Sequence, residues 1–385
     1  MTADVARVLP WPAGRPWGAY ASLHERRPPV WFDEGLDAWV VIGHALASEV
    51  LRGVGWSSDP SLSASMVASA EASGIDPTAL DRLLIFTDPP DHTRLRRSVQ
   101  PPFGSRTIGG LGGRVRAVTE AALAALGPDV DVDLMERVVR PVTLAVLAEL
   151  LDLPGSLVDV LADDSRALVG VLDVEASTAD VAAAAGAFTG LIIELLPLVA
   201  ERRARPGDDV LSWIAGDESL TLDEVVFAAL LLVVAGHETT ANLVGTALAH
   251  GARPGSADGG WATEVARLHT PVQAVVRVAT APQRVGGVDV GVGDQVVVAL
   301  GAANRDPSVF DRPDDAIEGR AVEPLSFGLG RHHCLGARLA LLELEEIVGA
   351  VVDHGPFEIH DVVWNDSRTI CGPTELHARW VGPAG

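Results

Sequence analysis

The stretch Phe327-Gly328-Leu329-Gly330-Arg331-His332-His333-Cys334-Leu335-Gly336-Ala337-Arg338-Leu339-Ala340 decides how this chain is read. It sets a cysteine in a glycine-rich turn directly ahead of an apolar run, residues 335–348, of helix-forming composition. Gly328, Gly330 and Gly336 let the backbone pass close to a flat ligand and take positive φ where the turn needs it. Cys334 then lies near a helix N-terminus, where free N–H groups and the helix dipole favour a thiolate. A thiolate held in this way suits an axial position on haem iron. Taken alone, Cys334 would be a small buried hydrophobe. His332 and His333 would suggest zinc only with a further ligand cluster, and Cys371 stands apart from them.

The pattern Phe-Gly-x-Gly-x-His-x-Cys-x-Gly resembles the haem-ligand loop of the cytochrome P450 monooxygenases. Phe327, Gly328, Gly330, His332, Cys334 and Gly336 match every fixed position. The resemblance implies haem b with Cys334 as the thiolate ligand.

Composition sets the outer bounds. The chain has 385 residues, 48% of them hydrophobic, enough for a large core. No linker, charge block or repeat marks a boundary, so residues 1–385 are expected to form a single domain. The first twenty residues hold Pro, Trp and Arg rather than a long apolar stretch. The longest apolar segment is read as residues 225–235, too short to span a bilayer. Two cysteines without a disulfide role fit a reducing cytosol. A cytoplasmic monomer with no membrane partner is therefore expected. The net charge of −23 argues against nucleic acid, which needs a basic footprint. All basic side chains are Arg, with Ala and Gly abundant, which suggests GC-rich, actinobacterial coding.

Three more segments support the same reading. Residues 222–248 read as one long helix, with Thr221 as N-cap and Asp223 and Glu224 in the first turn. Its middle, Ala235-Gly236-His237-Glu238-Thr239-Thr240, is polar where a helix interior prefers straight-chain apolar residues. A threonine hydroxyl there can bond the carbonyl four residues back and open the helix locally. The segment is similar to the oxygen-activating stretch of the P450 family. By that likeness Thr239 would orient water, Glu238 would relay protons, and Ala235 would lie against the haem. A helix kinked only for packing is the blander reading.

Glu264 and Arg267 stand three apart in a helical stretch, residues 261–269, an ordinary i,i+3 pair by spacing alone. With Thr270-Pro271-Val272 and Arg277 after it, the segment resembles the family's Glu-x-x-Arg helix and following strand. The resemblance makes Arg320 the third member of a scaffold triad, although Pro313-Asp314-Asp315-Ala316 replaces the usual Pro-x-Arg-Phe. His92 and Arg96 fall one turn apart on a helix opened by Asp88-Pro89-Pro90. In the family such a pair holds a haem propionate, and Arg277 and His332 match the remaining partners. Arg is suited to that task; a solvated basic face is the alternative. Arg94, Arg97 and Arg106 are read as a basic patch for an acidic electron donor. By the same resemblance, the interval between Thr240 and Glu264 is short of the family's usual length by roughly two to three helical turns. Gly251, Pro254, Gly255, Gly259 and Gly260 break helices there, so a helix usual in the family is shortened or lost.

The expectation is a mainly α, triangular P450 fold with small β-sheets, the haem lying between the Thr239 helix and the Cys334 loop. The implied reaction inserts one atom of O2 into a small apolar molecule. Electrons would come from an NAD(P)H-dependent reductase through a ferredoxin. By the resemblance, pocket walls would come from the loop near residues 56–87, helices near 165–200, the Thr239 helix and the strand after Pro271; they would include Val234, Ala235, Val272, Gln273, Val275 and Val276, which suit a terpenoid, polyketide or steroid-like ligand of secondary metabolism. Oxidative coupling and peroxide-driven oxidation are compatible with Cys334. A non-catalytic haem protein would not need the Glu238–Thr239 pair.

Overall fold

The computed structural model describes residues 8–72, 82–127, 131–170, 173, 178–255 and 260–380. Parts of the expected pocket walls (residues 73–81, 171–172 and 174–177) and Gly259 lie outside the described residues.

Six helices carry the residues of interest: α1 (Asp91–Val99), α2 (Arg140–Leu151), α3 (Leu222–Gly236), α4 (Glu238–Ala249), α5 (Gly260–Leu268) and α6 (Ala337–His354). They belong to a predominantly helical body with one large apolar cluster, into which α2, α3, α4 and α6 all contribute. The expected single helix over residues 222–248 is in fact two, α3 and α4, separated at His237 (φ −90°, ψ −67°). Thr221 begins α3 with a capping box: its hydroxyl accepts from Glu224 N–H while the Glu224 carboxylate accepts from Thr221 N–H. Such a cap contributes about 1 kcal/mol.

Among the described residues, ten strands form three sheets: β1 (Val30–Asp33), β2 (Ala38–Val41), β3 (Trp56–Ser57), β4 (Asp131–Asp133), β5 (Ala274–Ala279), β6 (Gln283–Val285), β7 (Val288–Val290), β8 (Gln295–Ala299), β9 (Phe357–Trp364) and β10 (Pro373–Trp380). The largest has the order β1-β2-β8-β5-β3. Its central strand β8, Gln-Val-Val-Val-Ala, is buried throughout, as expected of a β-branched run with neighbours on both edges. β8 pairs parallel with β2 and antiparallel with β5, which sets Arg277 opposite Val296. Apolar clusters cover both faces: one around Tyr20 and Trp31, the other around Leu51, Trp56 and Leu329. The second cluster joins this sheet to the glycine-rich loop ahead of α6.

No helix lies between α4 and α5 among the described residues. Residues 252–255 run as irregular chain, and a Cβ at Gly349 of α6 would come within 3.9 Å of Pro254. Among the described residues, two stretches, Ala182–Ala204 and Leu222–Ala249, are long and apolar enough to cross a membrane by length and composition. The second is mostly core; the first is the longer apolar run that the sequence reading passed over for residues 225–235.

Candidate active site

The loop from Phe327 to Cys334 is closed by one backbone bond, Cys334 N–H to Phe327 O at 2.8 Å. Gly328 (φ +66°) and Gly330 (φ +73°) both take the left-handed region. At Gly330 a Cβ would also stand 2.5 Å from the Leu51 carbonyl oxygen, so no side chain fits. Gly336 is different: its φ is −86° and no protein atom lies within 4 Å of where its Cβ would be. α6 starts at Ala337, and the N–H groups of Gly336 and Ala337 both donate to the Cys334 sulfur.

The Cys334 side chain is solvent-accessible, yet protein surrounds it closely enough to withhold hydration. Burial therefore pushes the thiol up, and the two N–H donors and the Arg96 guanidinium only partly oppose it. The two N–H groups act in the direction expected of the helix terminus. Desolvation of a sulfur anion outweighs two hydrogen bonds, whereas coordination to a metal deprotonates a thiol outright.

Beside the sulfur lies a cluster of basic side chains. His92 of α1 is 3% exposed, and its ring centroid is 4.3 Å from that of His332. Both Nε2 atoms are buried without a hydrogen-bond partner. Burial lowers His92, with Arg96 and Arg331 adding to the effect and Asp88 opposing it. His332 falls to about 3, through burial and then Arg277, His92, Arg331 and Arg96. Arg96 donates to the His333 carbonyl at 2.8 Å, and Arg277 to that of Val276 at 2.8 Å. Burial lowers Arg277 to about 10, with Asp88 raising it and Arg331 lowering it. Asp88 is the one carboxylate among the groups that perturb His92 and Arg277, held by the Ser57 hydroxyl and 3.9 Å from Arg331. Orphaned imidazole nitrogens among under-paired arginines fit a ligand bearing carboxylates, and an accessible sulfur fits a soft metal. Haem carries both features.

The α3–α4 break supplies a second group of polar side chains. Thr239 and Thr240 donate to the carbonyls of Ala235 (2.6 Å) and Gly236 (3.1 Å), each four residues back. Glu238 is 5% exposed; one carboxylate oxygen is 3.5 Å from Arg140 of α2 and the other has no partner. His237 Nδ1 is 2.9 Å from the Thr143 hydroxyl.

Glu264, Arg267 and Arg320 meet in one buried cluster. Arg267 is 1% exposed and grips Glu264 with two bonds (2.8 and 2.7 Å), while Arg320 Nε donates to Glu264 at 2.9 Å. Burial pushes the Glu264 carboxyl up, but bonds from Arg267, the Ile317 N–H and Arg320 outweigh it and leave it below its ordinary value.

The expected pocket is only partly assembled. Gln273 does not face a ligand: it is fully buried, accepts from Tyr20 at 2.6 Å and donates to the carbonyls of Thr270 and Pro271. Val276 packs on the Tyr20 face of the sheet and Val275 on the opposite face, because side chains alternate along β5, while Val272, ahead of β5, packs in the same cluster as Val275. Val234 is 5% exposed within the main core. Ala235, Val272 and Val275 remain partly accessible. The basic patch is also different from that expected. Arg94 is spent on Glu224 and Asp91, whereas Arg97 lines a shallow depression with Arg338, Gln100 and Phe103. Sequence reading missed Arg140, Thr143, His237, Asp88 and Arg331. The last two adjoin motifs and could have been singled out; nothing in sequence links Arg140 and Thr143 to residues 237–238.

A family model described as "Cytochrome P450" matches residues 262–368. Cytochrome P450 107B1 of Saccharopolyspora erythraea is 33% identical over 367 residues, covering 90% of this chain and 86% of that protein. The 6-deoxyerythronolide B hydroxylase of the same organism is 32% identical over 391 residues, covering 94% and 95%. A solved structure of a mutant of P450 EryK in complex with erythromycin B superposes with a TM-score of 0.81 at 30% identity, covering 96% and 97%. The fold, the cysteine loop and these likenesses agree: the chain belongs to the cytochrome P450 family and is a haem-dependent monooxygenase with a cysteine thiolate ligand to iron.

Proposed function

We propose that Cys334 is the thiolate ligand, that His92, Arg96, Arg277 and His332 hold the haem carboxylates, and that Glu238 and Thr239 govern proton supply. The observation that carries this reading is the pair of orphaned Nε2 atoms beside a sulfur receiving two N–H bonds. Phe327, Gly328 and Gly336 shape the loop, and Ala235 offers a small surface at the helix break. When bound, haem supplies the redox chemistry that activates O2 and oxidises a C–H or C=C bond. The protein's share is electrostatic and protonic. The N–H donors at Cys334 tune its sulfur's basicity. The Glu238 oxygen without a partner can take up or release a proton, and Thr239 can turn its hydroxyl from Ala235 O toward a water. Glu264, Arg267 and Arg320 hold the segment ahead of the cysteine loop and take no part in the chemistry.

The substrate is a large apolar molecule of secondary metabolism, polyketide-like in view of one relative named 6-deoxyerythronolide B hydroxylase and a solved relative in complex with erythromycin B. The accessible Ala235, Val272 and Val275 suit such a ligand. The electron donor is an acidic ferredoxin with its NAD(P)H-dependent reductase, docking over Arg97 and Arg338. The chain acts as a soluble cytoplasmic monomer, folded as one domain.

Replacing Thr239 with Ala tests the proton assignment. With a substrate found by spin-state screening, product per NADPH should fall and peroxide release should rise. Wild-type coupling would refute the role.

A further inference from the structure

One face of α2 meets the α3–α4 break residue by residue. Arg140, Thr143 and Leu147 lie on one helical stripe at i, i+3 and i+7. They face Glu238, His237 and Gly236 in turn. The Arg140 guanidinium is 3.5 Å from the Glu238 carboxylate, the Thr143 hydroxyl is 2.9 Å from His237 Nδ1, and a Cβ at Gly236 would sit 3.4 Å from Leu147.

The two polar contacts differ in strength. Arg140 is shared, since it also donates to the carbonyls of Thr374 (2.9 Å) and Pro373 (3.2 Å) at the start of β10. Its Nε and one Glu238 oxygen are buried without partners. That acid is loosely held. The His237–Thr143 link is short, and both residues are nearly inaccessible, at 3% and 1%. The Thr143 hydroxyl also lies 3.2 Å from the carbonyls of Val139 and Arg140, so either imidazole tautomer keeps the link. Burial lowers His237, with Glu238 opposing and Arg140 adding to the effect, so the ring is a neutral hydrogen-bonding group rather than a second charge. A fixed pivot thus stands directly before a loosely paired acid.

We propose that His237, pinned by Thr143, is a positioning residue for Glu238: the pair fixes the helix break so that the Glu238 carboxylate can leave Arg140 and return without the first turn of α4 shifting. This rests on the reading of Glu238 as proton carrier and adds to it the residues that set its reach.

The test uses the haem-loaded protein without substrate. The reduced protein is mixed with oxygenated buffer in the presence of excess surrogate ferredoxin, reductase and NADPH, so that two electrons and two protons turn O2 into hydrogen peroxide, and its return to the ferric state is timed in H2O and in D2O. Thr143→Val removes the hydroxyl at constant shape, and Thr143→Ser restores it. Losing one buried hydrogen bond should slow re-oxidation roughly threefold to tenfold and raise the solvent isotope effect. Amide exchange over residues 236–241 should quicken by a similar factor, with thermal midpoint and ferric spectrum close to wild type. The Ser variant should behave as wild type.

Wild-type re-oxidation and amide exchange in Thr143→Val would overturn the proposal. So would a slowing in proportion to a general loss of stability that Ser does not rescue. Glu238→Gln is run alongside. If it re-oxidises as wild type with an unchanged isotope effect, the proton-carrier reading fails and this inference with it. If it slows and Thr143→Val does not, only the positioning role fails.

Discussion

Replacing Arg267 with Met should be among the most damaging single changes outside the haem loop. Arg267 is buried and makes five hydrogen bonds: two to Glu264, one each to the carbonyls of Asn304 and Pro313 at 2.7 Å, and one to that of Asp315 at 3.1 Å. Its guanidinium also stacks over Phe310, 4.9 Å from the ring centroid. Met keeps much of the volume and none of these donors. Glu264 would retain only Arg320 and the Ile317 N–H as partners. Removing one member of a buried pair costs about 3–5 kcal/mol, because the other charge is left under-compensated. That is a large share of a total stability of about 5–15 kcal/mol. Arg320→Gln should cost less, about 1–2 kcal/mol, since that side chain is at the edge of the cluster, 12% exposed. Urea unfolding, followed by circular dichroism and by the haem absorbance, gives both numbers. The acid limb provides an independent check. With Glu264 depressed in the folded state, its stabilisation is present above the unfolded carboxyl value and is lost as pH falls through the folded one. Glu264→Gln should flatten that limb. An Arg267→Met cost below that of Arg320→Gln would refute the reasoning.

Three further outcomes are expected. Tyr20→Phe should destabilise the protein by about 1–2 kcal/mol, by leaving the Gln273 oxygen without its donor, and should leave substrate-induced spin shifts unchanged; an altered ligand affinity would return Gln273 to the pocket. Glu343 is fully buried with an unpartnered oxygen, and burial pushes its carboxyl well up. A raised folded value stabilises below the unfolded value and loses that benefit as pH rises, so Glu343→Leu should gain on wild type in thermal midpoint toward alkaline pH; parallel curves would contradict it. Arg97→Gln should slow reduction by an acidic ferredoxin at low salt several-fold, and Arg94→Gln should slow it less because Arg94 is already paired; equal slowing would count against this division of the patch.

The fold was legible because its markers are local. The Cys334 loop, the His92–Arg96 turn and the Glu264–Arg267 helix each fix a short geometry, and their order along the chain fixes the family. The likeness also located the third member of the triad, as Arg320 reaches Glu264 despite the altered sequence upstream. Tertiary contacts were not legible. Gln273 looked like a pocket residue because nothing in sequence places Tyr20 beside it. Val275 and Val276 looked equivalent until strand alternation put them on opposite faces. Arg94 looked free because Glu224 comes to it from another helix. The break at His237 was half legible: threonines signal back-bonding, but the α2 side chains that meet it carry no mark in sequence.

The most direct test of the account is the absorption spectrum of the purified protein, reduced with dithionite and exposed to carbon monoxide, beside that of Cys334→Ser. The account predicts a strongly red-shifted Soret band in the wild type that the variant lacks. A histidine-type band in the wild type, unchanged in Cys334→Ser, or no haem signal after full haem supply, would contradict it.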